Sequence, residues 1–117
     1  MSLKDLQQRY EEFVATRDWT RFHTPQNLAQ AISVESNELL ENFLWMNNPS
    51  SQEVQADEEL LEQTRDEMAD VLIYLIGLAN RLDIDLLEAV EEKMDENEER
   101  FDEAEVAEIN DYLSEWQ

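Results

Sequence analysis

The sequence predicts an all-α fold in which the helices are arranged as in a four-helix bundle. Two features of its composition favour this class: the 117 residues include one Gly and two Pro, and long runs of good helix formers leave few turn signals. A third feature is the spacing of apolar residues at three and four positions along most of the chain. We expect a single domain over residues 1–117, with its core over about residues 1–101 and a C-terminal amphipathic segment over 102–117.

The first two helices are indicated by their start signals. A first helix follows Ser2 and continues to about Arg17, with apolar residues at helical spacing. After a turn rich in aromatic residues, Thr24 and Pro25 fit the N-cap and first position of a second helix. This helix ends near Met46, where a polar, Pro-containing run predicts a loop.

Two more helices and a shorter segment complete the predicted fold. A third helix over about residues 58–82 has the longest apolar periodicity in the chain, and it contains the only glycine, Gly77. Since an interior Gly costs a helix about 1 kcal/mol relative to Ala, we expect a close approach by another helix at this position. Asp85 can cap a fourth helix that ends near Phe101. We expect the C-terminal amphipathic segment to pack over the bundle or on a neighbouring subunit.

The charge of the chain excludes several classes of partner. Thirty acidic residues against eight basic ones give a net charge of −22, which repels nucleic-acid phosphates, so we expect no nucleic-acid partner. The acidic surface with few lysines favours a halophilic protein, the alternative being an ordinary acidic surface. With no apolar run long enough to span a bilayer and no leader, we expect a cytoplasmic protein without a membrane partner. The absence of Cys excludes disulfides and thiol-ligated metals.

Two acidic pairs interrupt the apolar faces of the second and third helices. Glu35 and Glu38, and likewise Glu67 and Asp70, are three residues apart, so each pair projects from one side of its helix. Carboxylates at sites that a helix buries are costly unless they are paired or bind a metal, and we expect Asp70 to be at least partly shielded from solvent. The alternative is that these are four solvated acids among thirty. Two matching pairs on neighbouring long helices favour a metal site.

The ligand types restrict the metal. All-oxygen ligands select Mg²⁺, Mn²⁺ or Ca²⁺ rather than zinc or copper. A di-iron carboxylate bundle requires Glu-x-x-His on two helices, whereas the only histidine, His23, lies in a turn. Because Mg²⁺ bound by carboxylates completes its shell with waters and substrate phosphates, we expect the substrate to be a phosphate ester or anhydride.

At this point the chain resembles a known family over about residues 1–101. The two acidic pairs with 28 residues between them, the Trp-His turn and a Lys-Met-Asp-x-Asn run are similar to the MazG-like nucleoside triphosphate pyrophosphohydrolases, closest to the dCTP pyrophosphatase branch. The segments that carry the likeness are Arg17-Asp18-Trp19, Phe22-His23, Glu35-Ser36-Asn37-Glu38, Phe43-Leu44-Trp45, Glu67-Met68-Ala69-Asp70 and Lys93-Met94-Asp95-x-Asn97. The chain departs from the family pattern at Val34, Asn37 and Tyr10, and the last of these puts strict cytosine specificity in doubt.

The resemblance implies hydrolysis of a nucleoside triphosphate to the monophosphate and pyrophosphate, as in nucleotide-pool house-cleaning. It implies a magnesium cofactor, with Mn²⁺ as the alternative, on four ligands: Glu35, Glu38, Glu67 and Asp70. Glu38 or Glu41 would act as general base, since spacing does not separate the roles of ligand and base.

The resemblance also assigns substrate-binding positions. Those that surround the nucleobase are Trp19, His23, Trp45 and Tyr74. Aromatic rings stack on bases, although a Trp at a helix end can equally be core packing and the His can be a cap. Lys93, Asn97 and Arg100 share a face of the fourth helix and would bind phosphate, the alternative for Arg100 being ion pairs with neighbouring Glu.

Other functions remain open at this stage. The main alternative is a non-catalytic acidic helical adaptor or an inactive MazG relative. A phosphoribosyl-ATP pyrophosphohydrolase shares the acidic pairs, but the Trp19 and Trp45 rings argue against it. Since one helical hairpin cannot shield its apolar faces alone, we expect a homodimer or homotetramer.

Overall fold

Six α-helices and one short 3₁₀ turn make up the structure, a computed structural model that describes residues 1–116. Within that part of the chain there is no β-strand, which confirms the all-α prediction. The helices are α1 (Leu3–Thr16), α2 (Pro25–Glu41), α3 (Ser51–Ala56), α4 (Glu58–Arg81), α5 (Leu86–Arg100) and α6 (Glu103–Ser114), with the 3₁₀ turn at Thr20–Phe22. The third and fourth predicted helices are therefore α4 and α5.

Side-chain caps begin every one of these α-helices. The Ser2 side chain accepts a hydrogen bond from the Asp5 backbone amide in a full capping box, and Thr24 caps α2 with Pro25 in its first turn. The remaining caps are Ser50, Asp57, Asp85 and Asp102. The caps predicted at Thr24 and Asp85 are confirmed, because a short polar side chain satisfies amides that the helix leaves unpaired.

The segment between α2 and α4 differs from its prediction. Helix α2 ends at Glu41 rather than near Met46, and residues 42–46 continue as turns held by bonds such as that from the Phe43 amide to the Leu40 carbonyl, 3.0 Å. The left-handed φ of 48° at Asn48 and the following proline stop any further helix. The loop predicted after it is short, because Ser50 caps the additional helix α3.

Helix α4 is the centre of the N-terminal unit, Met1–Ile84, where it packs against α1, α2 and α3. The fully buried apolar residues of this unit are Val14, Leu28, Leu60, Ile76 and Ala79. Gly77 is buried among them, and a Cβ at this position would lie 3.1 Å from Tyr10 Cε2 and 3.5 Å from Leu28 Cδ2. The predicted close approach at Gly77 is therefore present, made by side chains of α1 and α2.

Hydrogen bonds of polar side chains join α1 to the C-terminal end of α4. The Gln7 side-chain amide donates hydrogen bonds to Asn80 Oδ1 at 3.1 Å and to the Ile84 carbonyl at 2.9 Å, while Asn80 Nδ2 donates to the Gln7 carbonyl at 2.9 Å. One turn along, Arg81 forms an ion pair with Glu11. These contacts fix the position of α1 along the axis of α4. They therefore also fix the position of the aromatic residues on α1.

The second compact unit begins at Asp85 and comprises α5 and α6. Helix α6 and the residues that follow it carry large exposed apolar side chains, among them Tyr112 in the helix and Trp116 after it, whose rings lie 6.0 Å apart. None of the described helices has the length and apolar character needed to cross a bilayer.

Candidate functional site

Helices α2 and α4 run antiparallel, and this brings the acidic pairs together. Leu28, early in α2, lies beside Gly77, late in α4, whereas Glu35, later in α2, lies beside Glu67, earlier in α4. The direction of α2 is therefore opposite to that of α4 along the shared interface. Each further turn of α2 faces an earlier turn of α4.

Three carboxylates converge at this interface. Glu35, Glu38 and Glu67 each offer an oxygen such that all three atoms lie within 4.8 Å of one another, and all three side chains are partly buried. Glu35 Oε2 and Glu67 Oε2 are buried and have no hydrogen-bond partner among the described residues. An unpaired buried carboxylate oxygen is costly, so the arrangement suits a cation that would bind these oxygens.

The electrostatics of the group agree with this geometry. The pKa of Glu35 is raised from 4.5 to about 7, first by burial and then by the neighbouring carboxyl groups of Glu67, Glu38 and Asp70. Like charges at this separation disfavour the ionised form. A divalent cation would reverse that effect, and a set of carboxylate oxygens alone matches hard ions such as Mg²⁺, Mn²⁺ and Ca²⁺.

Asp70 lies beside the group but differs from its prediction in burial. It is close enough for its charge to act on Glu35, yet its side chain is exposed. The apolar neighbours that were expected to shield it are themselves open to solvent, Met68 at 59% and Leu72 at 42%. Glu41, the last residue of α2, is also exposed and lies outside the three-carboxylate group.

Aromatic residues cluster farther along α4, on the side of Gly77. Tyr10 stacks on Phe13 with ring centroids 5.8 Å apart, and the Tyr10 and His23 ring centroids lie 6.1 Å apart. Phe13 also contacts Trp19 edge-on, with ring centroids 5.7 Å apart. His23 Nδ1 is 3.9 Å from the position of a Cβ on Gly77. Two of the four predicted base-binding residues, Trp19 and His23, thus belong to one cluster. The role of the cluster stays a prediction.

Burial and charge keep the polar groups of this cluster neutral. The pKa of His23 is lowered by burial and by the charge of Arg81, with Glu11 opposing. The pKa of the Tyr10 hydroxyl is raised by burial and by the nearby Tyr74. Tyr74 is half-buried one turn beyond Asp70, so it lies between the aromatic cluster and the carboxylates along α4.

The other predicted substrate-binding residues are all exposed. Trp45 is 93% exposed, which argues against core packing within its own unit. Lys93, Asn97 and Arg100 are exposed on α5 in the second unit, where Lys93 Nζ lies 3.4 Å from Glu96 Oε1 and Arg100 lies over the Phe101 ring. Their roles in phosphate binding stay predictions.

Two polar residues near the carboxylates were missed by sequence reasoning. Asn42 Nδ2 and Thr64 Oγ1 are buried without a hydrogen-bond partner among the described residues. Their spacing was available as a signal, because Asn42 follows Glu38 by four residues and Thr64 precedes Glu67 by three.

Comparison with known proteins relates the chain to a family. The model of the MazG-like family matches residues 30–115. The chain is 43% identical to dCTP pyrophosphatase 1 of Rattus norvegicus and 42% to that of Homo sapiens, in each case over 102 residues that make up 86% of this chain and 59% of the relative. It therefore spans 59% of the length of these curated relatives.

A solved structure extends the likeness to the fold. The crystal structure of a pyrophosphatase from Archaeoglobus fulgidus superposes with a TM-score of 0.72 at 41% sequence identity, covering 84% of this chain and 90% of that one. Sequence and structure thus both relate most of the chain to pyrophosphatases. The chain belongs to the MazG-like family, on the branch of the dCTP pyrophosphatases.

Proposed function

We propose that the protein is a Mg²⁺-dependent nucleotide pyrophosphohydrolase that converts a nucleoside triphosphate, dCTP-like or a modified dNTP, to the monophosphate and pyrophosphate. The observation that carries the proposal is the group of three carboxylates with two unpaired buried oxygens on facing helices. The similarity to dCTP pyrophosphatases supports the choice of substrate class.

Four acidic residues would hold the metal: Glu35, Glu38, Glu67 and Asp70. Mg²⁺ is the expected ion and Mn²⁺ the alternative. When bound, the ion would neutralise charge on the triphosphate and lower the pKa of the attacking water. Glu38 or Glu41 would accept the proton of that water. Glu38 is one of the converging carboxylates, and Glu41 is more exposed.

The aromatic cluster would hold the nucleobase. Gly77 lies seven residues beyond Asp70, which is about 10 Å along a helix, so α4 separates the rings of Trp19 and His23 from the carboxylates by roughly the reach of a nucleoside. His23, whose pKa is lowered by burial, and the Tyr74 hydroxyl offer hydrogen bonds to a base. Trp45, with its exposed ring, would stack on the base from another side.

Cationic groups on α5 would bind the phosphates. The ion pair of Lys93 with Glu96 is exposed on both sides, and such pairs contribute little to stability, so Lys93 can exchange this partner for a phosphate at low cost. Asn97 lies one turn further on the same face of α5.

A nucleotide panel with product analysis tests the proposal. Purified protein with Mg²⁺ should release pyrophosphate, not orthophosphate, from at least one common or damaged dNTP, and Glu38→Gln should abolish this while the circular-dichroism melt shows a folded protein. Asp66→Asn, an equal change of charge at an exposed position beside Glu67, should retain activity. Failure of the wild-type chain on every nucleotide would refute the proposal and favour the non-catalytic acidic adaptor or inactive relative.

We also propose that the chain works as a single MazG-like domain in a cytoplasmic homodimer or homotetramer adapted to salt. Large apolar side chains that are exposed in the single chain, such as Phe22, Leu44 and Trp45, support assembly. Light scattering at low and at molar KCl tests this, and a monomer at both salt concentrations would contradict it.

A further inference from the structure

Four buried polar atoms of α2, of the residue that follows it and of α4 have no hydrogen-bond partner among the described residues. Two are the carboxylate oxygens Glu35 Oε2 and Glu67 Oε2, which the proposed metal centre explains. The other two, Asn42 Nδ2 and Thr64 Oγ1, have no role in it so far. Buried polar atoms are almost always hydrogen-bonded, and each exception calls for a physical explanation.

The antiparallel register places Asn42 and Thr64 at the same position along the axes of α2 and α4. Asn42 is one turn beyond Glu38 on α2, and Thr64 is one turn before Glu67 on α4. Because later turns of α2 face earlier turns of α4, both residues belong to the turn that adjoins the carboxylates, on the side away from Gly77. The interface is therefore polar for one turn beyond the acidic group.

The chemistry of these groups is complementary to that of the nearest metal ligands. An amide nitrogen and a hydroxyl can donate hydrogen bonds, and the carboxylates one turn away in sequence, Glu38 for Asn42 and Glu67 for Thr64, can accept them. The Thr64 hydroxyl does not bond to the carbonyl one turn back, the usual partner of a threonine inside a helix. It thus has a donor available, as does Asn42.

We propose that Asn42 and Thr64 are positioning residues of the metal centre. With a divalent cation bound, they donate hydrogen bonds, directly or through one water, to the carboxylates of Glu38 and Glu67 and fix the orientation of these ligands. Residues that orient metal ligands in this way typically raise metal affinity by about 10–100-fold. The inference rests on the proposed function, since it assumes that the carboxylates bind a cation.

Substitution of Thr64 by valine separates this role from a structural one. Val has nearly the same shape but no hydroxyl, so Thr64→Val removes a buried unsatisfied group and is expected to raise the Tm of the metal-free protein. The same change removes a donor from the ligands and is expected to weaken Mg²⁺ and Mn²⁺ binding about 10-fold. A residue that only packs would change stability and leave metal affinity as it was.

Isothermal titration with Mg²⁺ and with Mn²⁺, together with melting curves in EDTA, tests the inference on the full chain. We expect Thr64→Val and Asn42→Leu to lose affinity for both ions. Thr64→Ser keeps the hydroxyl, so we expect its affinity to lie within about twofold of the wild type, a change far smaller than the loss expected when a hydrogen-bond donor to a ligand is removed. Wild-type affinity in Thr64→Val, or failure of Thr64→Ser to retain it, would overturn the inference alone. If the wild-type chain binds neither ion, the inference and the proposed metal dependence fall together, whatever the nucleotide panel gives.

Discussion

Removing the charge of Glu35 is expected to stabilise the metal-free protein and to abolish its stabilisation by metal. In the wild type, oxygen atoms of Glu35, Glu38 and Glu67 lie within 4.8 Å of one another. At that distance the repulsion of two unit charges is about 0.9 kcal/mol in water and about 3.5 kcal/mol at the dielectric of a protein surface. Because Glu35 faces both of the other carboxylates, we expect Glu35→Gln to raise the free energy of unfolding by about 1–3 kcal/mol when all three are ionised.

The gain in free energy of unfolding of Glu35→Gln over the wild type should depend on pH, because the pKa of Glu35 differs between the folded and unfolded states. The folded-state pKa of about 7 lies above the ordinary value of 4.5, so the protonated form favours folding. This contribution is fully present below pH 4.5 and is lost as the pH rises through 7. The wild type therefore resembles Glu35→Gln at pH 5, and the advantage of the variant should appear between pH 5 and pH 8.5.

Metal should stabilise the wild type and not the variant, and so should narrow the difference in stability between the two proteins. A ligand at ten times its Kd stabilises the folded state by about 1.4 kcal/mol, a gain that the wild type should show with Mg²⁺ and the variant should lack. Urea unfolding at pH 5 and at pH 8.5, in EDTA and in Mg²⁺, measures all four cases, with Asp66→Asn as the control for the loss of one negative charge. A metal-free Glu35→Gln that is less stable than the wild type at pH 8.5, or a gain of equal size at pH 5 or in Asp66→Asn, would refute the reasoning.

Two further predictions concern the packing of α1 on α4. Asn80→Ala removes both hydrogen bonds between Asn80 and the buried Gln7, so urea unfolding should show a loss of about 1–3 kcal/mol, whereas exposed Asn110→Ala on α6 should be close to neutral. Gly77→Ala favours the helix by about 1 kcal/mol but forces the Tyr10 ring, 3.1 Å from the new Cβ, to move. We expect KM for the nucleotide to rise while kcat and metal affinity stay at wild-type values, and an unchanged KM would contradict the placement of the base beside this ring.

The helix starts were predictable because they depend on neighbouring residues. Ser2, Thr24 and Asp85 each satisfy amides three positions away, so the signal is complete in a few letters of sequence. Helix α3 was missed although Ser50 and Glu53 form such a signal, because the Asn and Pro residues before it indicate a loop. The end of α2 was placed too late, since apolar spacing continues past the point where the backbone changes from helix to turn.

Some features of the candidate site were likewise predictable from local spacing, and others depend on packing between helices. Spacing on one helix was enough to select Glu35, Glu38, Glu67 and Asp70 as a possible group. The exposure of Asp70 and the burial of Asn42 and Thr64 depend on which turn of α2 faces which turn of α4, and that register is set by packing such as that of Leu28 on Gly77. A single sequence contains this packing only implicitly, so spacing marks Asn42 and Thr64 as neighbours of the ligands on their helices but does not show that they are buried.

The partners of the basic residues explain why such a chain would depend on a cation. Of the eight basic side chains, Arg21, Arg65, Arg81 and Lys93 each lie beside a carboxylate, so much of the positive charge is already opposed. A polyanionic substrate approaching a chain of net charge −22 meets repulsion that these side chains do not remove. Salt screens the charges of the outer surface but acts much less on partly buried groups. A cation bound by the carboxylates between α2 and α4 would therefore reduce the electrostatic repulsion of the substrate most. At this position it would offset both the mutual repulsion of the carboxylates and the negative charge of the phosphates.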